Sequence, residues 1–481
     1  MKEYSAIVIG CGPAGHTCAV RLAQLGAKVA VVERDYVGGI CTNWGCTPSK
    51  SMIESAKMAR IVREAARYGV NVSSFWVDFK KVAARRDEVI HRARGVVARL
   101  LQHHGVDLYQ GEADVVAPGR VKIRKGKLDL DGVKMHYTGE EDELEAGHIV
   151  LATGSRPLMP PSVKPDHPYI VSSNRLITIG ELPESLTIVG GGVIGLEFAT
   201  IFSNMGSRVT IIEFLDRVLA TLDPEVSASI TEELKLHGVR ILTGHQMLSV
   251  EQGYVRAENR ATREVVEIPG QAVLIAVGRE PVIDRAMFDR MGIAYSAKGI
   301  GVDDHLRTNV PGLWAIGDAT GKSVLAHVGM QQGVVCAENI MAAPGAPLRR
   351  MDYDVIPAVV YTIPEVVAVG HVPAEAEGVQ SFKVPFSSNL RARIEAYEEG
   401  FVKVWVKDHT VVAAQAIGHN VSELMQELAN MIALKTPTHA VAEIIHAHPT
   451  YSEITRSLLE YSLDRAVDFI MPTAVEPGSE S

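Results

Sequence analysis

The sequence predicts an α/β chain built around two Rossmann-like dinucleotide-binding domains, with a smaller α+β part towards the C-terminal end. Three observations predict it. Residues 6–33 read as apolar strand, G-x-G-x-x-G turn, helix, second strand and acidic residue. Residues 186–213 repeat that order with the same glycine spacing. The chain has 481 residues, too many for one ordinary core, so three or four domains are expected.

In the first unit, A-I-V-I leads into Gly10-Cys11-Gly12-Pro13-Ala14-Gly15, and a helix is expected over residues 14–25 before Gly26. The next strand, residues 28–32, runs into Glu33. Gly10 allows the tight turn, Gly12 lets backbone approach a pyrophosphate, and Gly15 permits close helix–strand packing. Glu33 is placed to accept hydrogen bonds from a ribose. In the second unit, Gly190, Gly192 and Gly195 repeat the spacing, a helix is expected over 193–205, and the strand at 208–212 runs into Glu213. A carboxylate there bonds a ribose 2′-OH and repels a 2′-phosphate, so the expected cofactor is NAD rather than NADP.

Composition narrows the class. Hydrophobic residues make up 47% and charged residues 22%, as in globular proteins. The net charge of −9 gives no electrostatic case for nucleic acid. No run of about 18 apolar residues could span a membrane. The sequence enters a strand at once, which leaves no room for a signal or transit peptide, and a cytoplasmic protein is expected. The cysteines, Cys11, Cys18, Cys41, Cys46 and Cys336, are too sparse and uneven for a disulfide scaffold. Cys11, Cys18 and Cys336 are expected to serve packing.

Residues 38–50 read G-G-I-C-T-N-W-G-C-T-P-S-K, and a helix is expected over 48–60. Pro48 suits a first helical turn, and Ala, Met, Glu, Lys and Arg follow as good helix formers. Cys46 therefore falls at or just before a helix N-terminus, where backbone N–H groups and the helix dipole favour a thiolate. Two nearby cysteines, one of them activated, suit reversible disulfide chemistry. On spacing alone a structural disulfide, a metal pair and two buried thiols stay open.

The pattern G-G-x-C-x-N-x-G-C-x-P-S-K resembles the redox-active signature of the flavin-dependent pyridine nucleotide–disulfide oxidoreductases. The resemblance extends over residues 4–472. It implies FAD at the first site, with Gly39 beside it. It implies that Cys46 contacts the flavin, that Cys41 exchanges with substrate, and that Lys50 lies near the flavin ring. Glu197, in I-G-L-E, is implied as the partner of Lys50; burying one without the other would cost roughly 3–5 kcal/mol.

Further segments carry the same resemblance. Gly111-Glu112-Ala113 resembles a turn beside the FAD adenine, where Ala113 offers backbone. A-T-G-S-R-P at 152–157, with Gly154, resembles the segment closing over FAD. A-V-G-R-E-P at 276–281, with Gly278, resembles the exit from the NAD domain. Asp318, after Gly317, is implied to hold the flavin ribityl chain, and the backbone of Ala326 to meet the flavin. His327 is expected as a structural hydrogen bonder. Residues 325–327 resemble the dihydrolipoyl dehydrogenase branch more than the glutathione or mercuric reductases. In H-A-H-P-T-Y-S-E, His448 is implied as the base and Glu453 as its orienter, reaching Cys41 of a second subunit. Imidazole titrates near neutrality and a carboxylate can fix its tautomer, which suits thiol exchange. No metal is expected at His446-x-His448, because no cysteine or acidic cluster completes a ligand set.

The remaining expectations are structural. Residues 79–104 are a long basic helix with a solvated charged face, and 121–136 form surface hairpins. Strands at 401–406 and 411–418 precede helices at 421–434 and 438–445. The expected domains are 1–155 for the first part of the FAD region and 156–275 for NAD. They continue with 276–350 for the rest of the FAD region, 351–472 for an α+β dimerisation domain, and 473–481 as a disordered tail. Pro157, Pro160, Pro161 and Pro165 mark a linker. The implied activity is oxidation of protein-bound dihydrolipoyl groups and reduction of NAD⁺ by a homodimer through a Cys41–Cys46 disulfide. The implied partner is a lipoyl domain of a 2-oxo acid dehydrogenase complex or glycine cleavage system. A mercuric-type or other disulfide reductase is the nearest alternative, and a low-turnover flavin scaffold the alternative from another class.

Overall fold

Strand β1 (Lys2–Ile9), helix α1 (Pro13–Gln24) and strand β2 (Val29–Glu33) form the first βαβ unit in a computed structural model. It describes residues 2–128, 135–160, 163, 170–251, 253–373 and 378–470. β1 lies between β2 and the strand Met135–Leu151, parallel to both. Leu313–Ala315 extends the parallel sheet on one side and Asp107–Ala117 on the other. Ala6, Ile7 and Val8 are fully buried. A strand covered on both faces needs this continuous apolar run rather than alternation.

Asp107–Ala117, Arg120–Leu128 and Met135–Leu151 continue as an antiparallel meander, which agrees with the hairpins expected over 121–136 as far as the described residues go; 129–134 lie outside them. The expected turn at Gly111-Glu112-Ala113 is corrected here: all three residues are within the strand Asp107–Ala117. The strand changes partner at that point. Gln110 pairs with Glu33 of β2, whereas Gly111 pairs with Lys125 and Ala113 with Ile123. Gly111, at φ +153°, takes the kink that the exchange requires.

After the short helix Gly39–Asn43 comes α2 (Cys46–Glu64), which starts two residues earlier than Pro48 predicts. The basic helix spans Phe79–His103. Its charged face is not uniformly solvated, which corrects the expectation. Arg86 is 2% exposed and donates to the carbonyls of Ile177 and Ile179 at 2.7 and 2.9 Å. It shares the inward stripe with Ala83 and Ile90, three and four residues away; those carbonyls take its Nη donors and Asp87 pairs with its Nε at 2.8 Å.

The second βαβ unit is β3 (Ser185–Val189), α3 (Val193–Met205) and β4 (Arg208–Ile212). β3 pairs in parallel with β4 and with Ala272–Ile275, which pairs in parallel with Ile170–Ser172. The links between the two parallel sheets, Ser155–Pro157 and Arg279–Pro281, pair antiparallel. Helix α4 (Ala326–Ile340) crosses α1 at backbone distance. A Cβ on Gly333 would come within 2.6 Å of the Ala14 carbonyl oxygen. Cys18 and Cys336 are buried in the same apolar core as Cys11.

The chain divides into two compact units, Met1–Phe214 with His245–Met351, and Leu215–Gly244 with Asp352–Ser481. The second is centred on an antiparallel sheet ordered Ala358–Val360, Glu365–Gly370, Thr410–Gly418, Phe401–Lys407, Val379–Pro385. The helix Val421–Leu434 and helix α5 (Glu453–Tyr461) join its core through Leu424, Leu428, Ile454 and Leu458. Pro161, Pro165 and the tail 473–481 lie outside the described residues. Among the described residues no helix is long and apolar enough to cross a membrane.

Candidate active site

The two dinucleotide loops repeat each other closely. A Cβ on Gly10 would meet the Ala152 carbonyl oxygen at 2.2 Å, and one on Gly190 the Ala276 oxygen at 2.4 Å. Cβ atoms on Gly15 and Gly195 would each lie 2.0 Å from the oxygens of Gly10 and Gly190. Each turn is thus too tight for any side chain. Helices α1 and α3 begin behind Gly12 and Gly192 with no side-chain cap and no acidic residue in the first turn. Their first N–H groups therefore favour an anion, which fits the pyrophosphate of a dinucleotide. The approach of Gly39 to Gly12 also leaves no space for a Cβ, which would lie 2.7 Å from the Gly12 Cα.

The acidic ends match as well. Glu33 accepts from the N–H groups of Cys11 and Asp35 at 2.7 and 2.8 Å, and Glu213 accepts from the N–H of Gly191. Burial raises the Glu33 carboxyl, opposed by those two N–H bonds. Each carboxylate braces its own glycine turn and stands at the strand end where a ribose would lie. Glu213→Ala is expected to raise the KM for NADH about tenfold, the scale of one hydrogen bond to a charged group. An unchanged KM would remove Glu213 from nucleotide binding.

Cys41 lies in the short helix Gly39–Asn43, and Cys46 is the first residue of α2, behind Gly45. Four residues separate the two, and Cys46 is the more exposed of them. The Cys41 thiol beside it and the Lys50 charge lower the Cys46 thiol to about 7. The neighbouring Cys46, with burial, pushes Cys41 far up. Negative charge is thereby favoured on Cys46 over Cys41. One turn along α2, Lys50 Nζ donates to both Glu197 carboxylate oxygens at 2.8 and 2.9 Å. Glu197 is 7% exposed on α3, so α2 and α3 are tied by an ion pair rather than presenting two surface charges.

Three quoted segments meet around Asp318, in the turn Gly317–Thr320 after Leu313–Ala315. Ser155 Oγ donates to Asp318 Oδ2 at 2.5 Å and accepts from Arg279 Nε at 2.8 Å. Burial lowers the Arg279 guanidinium, while the charges of Asp318 and Cys46 hold it up. Sequence reasoning did not single out Ser155 and Arg279, although both stand inside the motifs it quoted. Gly154 and Gly278 precede them with positive φ of 72° and 131°. Ala326 opens α4, and His327 is exposed beside it. Ala113 lies mid-strand and partly buried, opposite Ile123.

In the second unit, His448 Nδ1 and Glu453 Oε1 are 2.8 Å apart, and Glu453 Oε2 accepts from the Thr450 N–H at 2.8 Å. Burial disfavours the Glu453 carboxylate, but the Thr450 and His448 bonds outweigh it and lower its pKa. An ionised Glu453 takes a proton on Nδ1, leaving Nε2 as the basic nitrogen. His446 instead lies against the Ile444 carbonyl and Glu427, at 2.9 and 3.2 Å. Cys41 belongs to the first unit and His448 to the second.

Comparison with known proteins agrees with this arrangement. Residues 4–333 match the family model described as pyridine nucleotide-disulphide oxidoreductase, and residues 356–458 match its dimerisation domain. A dihydrolipoyl dehydrogenase of Pseudomonas aeruginosa is 35% identical over 477 residues, covering 97% of this chain and 98% of the relative. One from Geobacillus stearothermophilus is 34% identical with the same coverage. Among solved structures, the Cu(II) complex of HOCl-induced flavoprotein disulfide reductase RclA from Escherichia coli superposes with TM-score 0.83 at 26% identity. It covers 96% of this chain and 100% of the other. LpdA from Mycobacterium tuberculosis superposes with TM-score 0.84 at 25% identity and the same coverage. The chain belongs to the pyridine nucleotide–disulphide oxidoreductase family, FAD- and NAD-dependent enzymes acting on sulfur groups, and carries that family's dimerisation domain.

Proposed function

We propose that this chain oxidises dihydrolipoyl groups on a partner protein and reduces NAD⁺, as the dihydrolipoyl dehydrogenases it resembles are named for doing. The observation that carries the reading is the placement of Cys46 as the first residue of α2, with Cys41 in the short helix before it and the Lys50–Glu197 ion pair one turn on. In the oxidised enzyme, a dihydrolipoyl thiolate attacks Cys41 Sγ. The Cys41–Cys46 bond breaks, a mixed disulfide forms on Cys41, and Cys46 leaves as the thiolate. A low leaving-group pKa speeds that step. The second lipoyl thiol then loses its proton to His448 and displaces Cys41, so lipoyl disulfide is released and the cysteine pair holds two electrons. When bound, FAD supplies the two-electron path from that pair to NAD⁺. Lys50 and Glu197 hold the cysteine-bearing turn of α2 against α3, and Asp318, Ser155 and Arg279 fix the three segments facing it.

In this reading residues 1–155 and 276–350 hold FAD, residues 156–275 hold NAD, and residues 351–472 pair two copies. His448 then serves the Cys41 of the second copy. The partner is a lipoyl domain of a 2-oxo acid dehydrogenase complex or glycine cleavage system, in the cytoplasm. The C-T-P-S-K spelling and the likeness to a flavoprotein disulfide reductase favour a second reading, a reductase for another sulfur or metal substrate. A panel of lipoamide, glutathione disulfide, coenzyme A disulfide and Hg²⁺ with NADH separates the two. Lipoamide turnover should exceed the others; a faster rate with any of them would replace the lipoyl assignment.

A further inference from the structure

The redox loop is braced from outside by a contact that none of the motifs contains. Asn43, between the two cysteines, is 1% exposed. Its Nδ2 donates to the carbonyls of Gly39 at 2.7 Å, Val37 at 3.1 Å and Tyr36 at 3.4 Å. It thereby stitches the turn at 36–39 onto the helix that carries Cys41. The turn depends on that stitch. Gly38 and Gly39 both have positive φ, and the Gly38 N–H reaches back 2.8 Å to the Cys11 carbonyl in the first phosphate loop. The remaining polar atom of the amide, Oδ1, accepts from Arg94 Nε on the helix Phe79–His103. The Arg94 guanidinium in turn stacks 3.6 Å over the Tyr36 ring, and that ring packs on Trp44 at 6.1 Å. An arginine fork is donor-only, so it fixes which end of the amide faces it and turns Nδ2 toward the loop carbonyls.

We infer that Arg94 is a positioning residue for the Cys41–Cys46 exchange, acting through Asn43 and Tyr36 to hold the Cys41 turn in register with Cys46. It rests on the redox assignment of that pair and is indifferent to which disulfide is the substrate. Its loss should let the Asn43 amide rotate, loosen the turn, and weaken the geometry that couples the two sulfurs. The expected consequence is about a tenfold shift in the thiol–disulfide equilibrium of the pair, the scale of one hydrogen bond to a charged group.

The test uses the FAD-loaded protein and its Arg94→Met and Arg94→Lys variants. Each is equilibrated in dithiothreitol redox buffers, and the oxidised fraction of Cys41–Cys46 is read by alkylation and mass spectrometry. In parallel, NADH oxidation by ferricyanide is measured, which bypasses the cysteines. R94M should shift the equilibrium about tenfold and slow dihydrolipoamide oxidation to a similar degree, with ferricyanide reduction unchanged. R94K, which keeps the donor but not the planar stack, should fall between. An unshifted equilibrium in R94M overturns the role of Arg94. So does loss of FAD or of ferricyanide reduction, which would mark it as a fold residue only. A wild-type protein whose cysteine pair never cycles would instead sink the redox assignment itself.

Discussion

Cys41→Ser is expected to retain FAD and NADH oxidation by ferricyanide while losing dihydrolipoamide-dependent NAD⁺ reduction by about 10⁴-fold or more, as when a covalent nucleophile is removed. The reason is stoichiometric. Substrate electrons enter only if a mixed disulfide forms on residue 41, and a serine oxygen cannot form one. The flavin side is untouched, because Cys46 stays at the head of α2 beside Lys50. The serine hydroxyl can still donate to Cys46, so the variant also isolates the thiolate. As pH falls through about 7, Cys46 takes up a proton. Its alkylation rate in reduced protein should therefore drop about tenfold per unit below that point. Full lipoamide activity in C41S would refute the entry route.

His448→Ala is expected to lower dihydrolipoamide oxidation by about 10²–10⁴-fold, the usual contribution of a positioned base. The role of the ring follows from the geometry. His448 presents Nε2 as the basic atom while Glu453, held ionised by the Thr450 N–H, occupies Nδ1. Glu453→Gln should lose less, about tenfold, because the ring keeps a partner but loses charge stabilisation. Ferricyanide reduction should be unaffected in both. A flat effect of H448A on both half-reactions would assign His448 to folding or assembly instead.

Much of this was legible in the chain because it rests on backbone constraints that leave a spacing. Gly10 and Gly190 face carbonyls too close for a side chain, and Gly15 and Gly195 face the oxygens of those same turns. No other residue fits, so the pattern appears twice. Cys46 could be placed at a helix start because Pro48 and the helix formers after it declare one. Contacts made across the fold leave no such trace. Lys50 and Glu197 are 147 positions apart, and only the family resemblance links them. Arg94 and Asn43, 51 apart, and Ser155 and Asp318, 163 apart, are paired by no spacing, although Asn43, Ser155 and Asp318 each stand in a quoted segment. The two misplacements share that cause. Ala113 lies in a strand because Gly111 trades one neighbour for another, and Arg86 is buried because three distant carbonyls receive it. Both are choices of tertiary partner, which residue type and periodicity do not encode.

The central claim is that electrons leave the lipoyl dithiol through Cys41 and Cys46. It is tested most directly by trapping those sulfurs in FAD-loaded protein, without NAD⁺, before and after anaerobic addition of dihydrolipoamide. After acid quench, alkylation in denaturant and mass spectrometry, the peptide carrying both residues should be unlabelled beforehand and doubly labelled afterwards, while Cys11, Cys18 and Cys336 label equally in both samples. A Cys41–Cys46 peptide that labels identically before and after addition would contradict it.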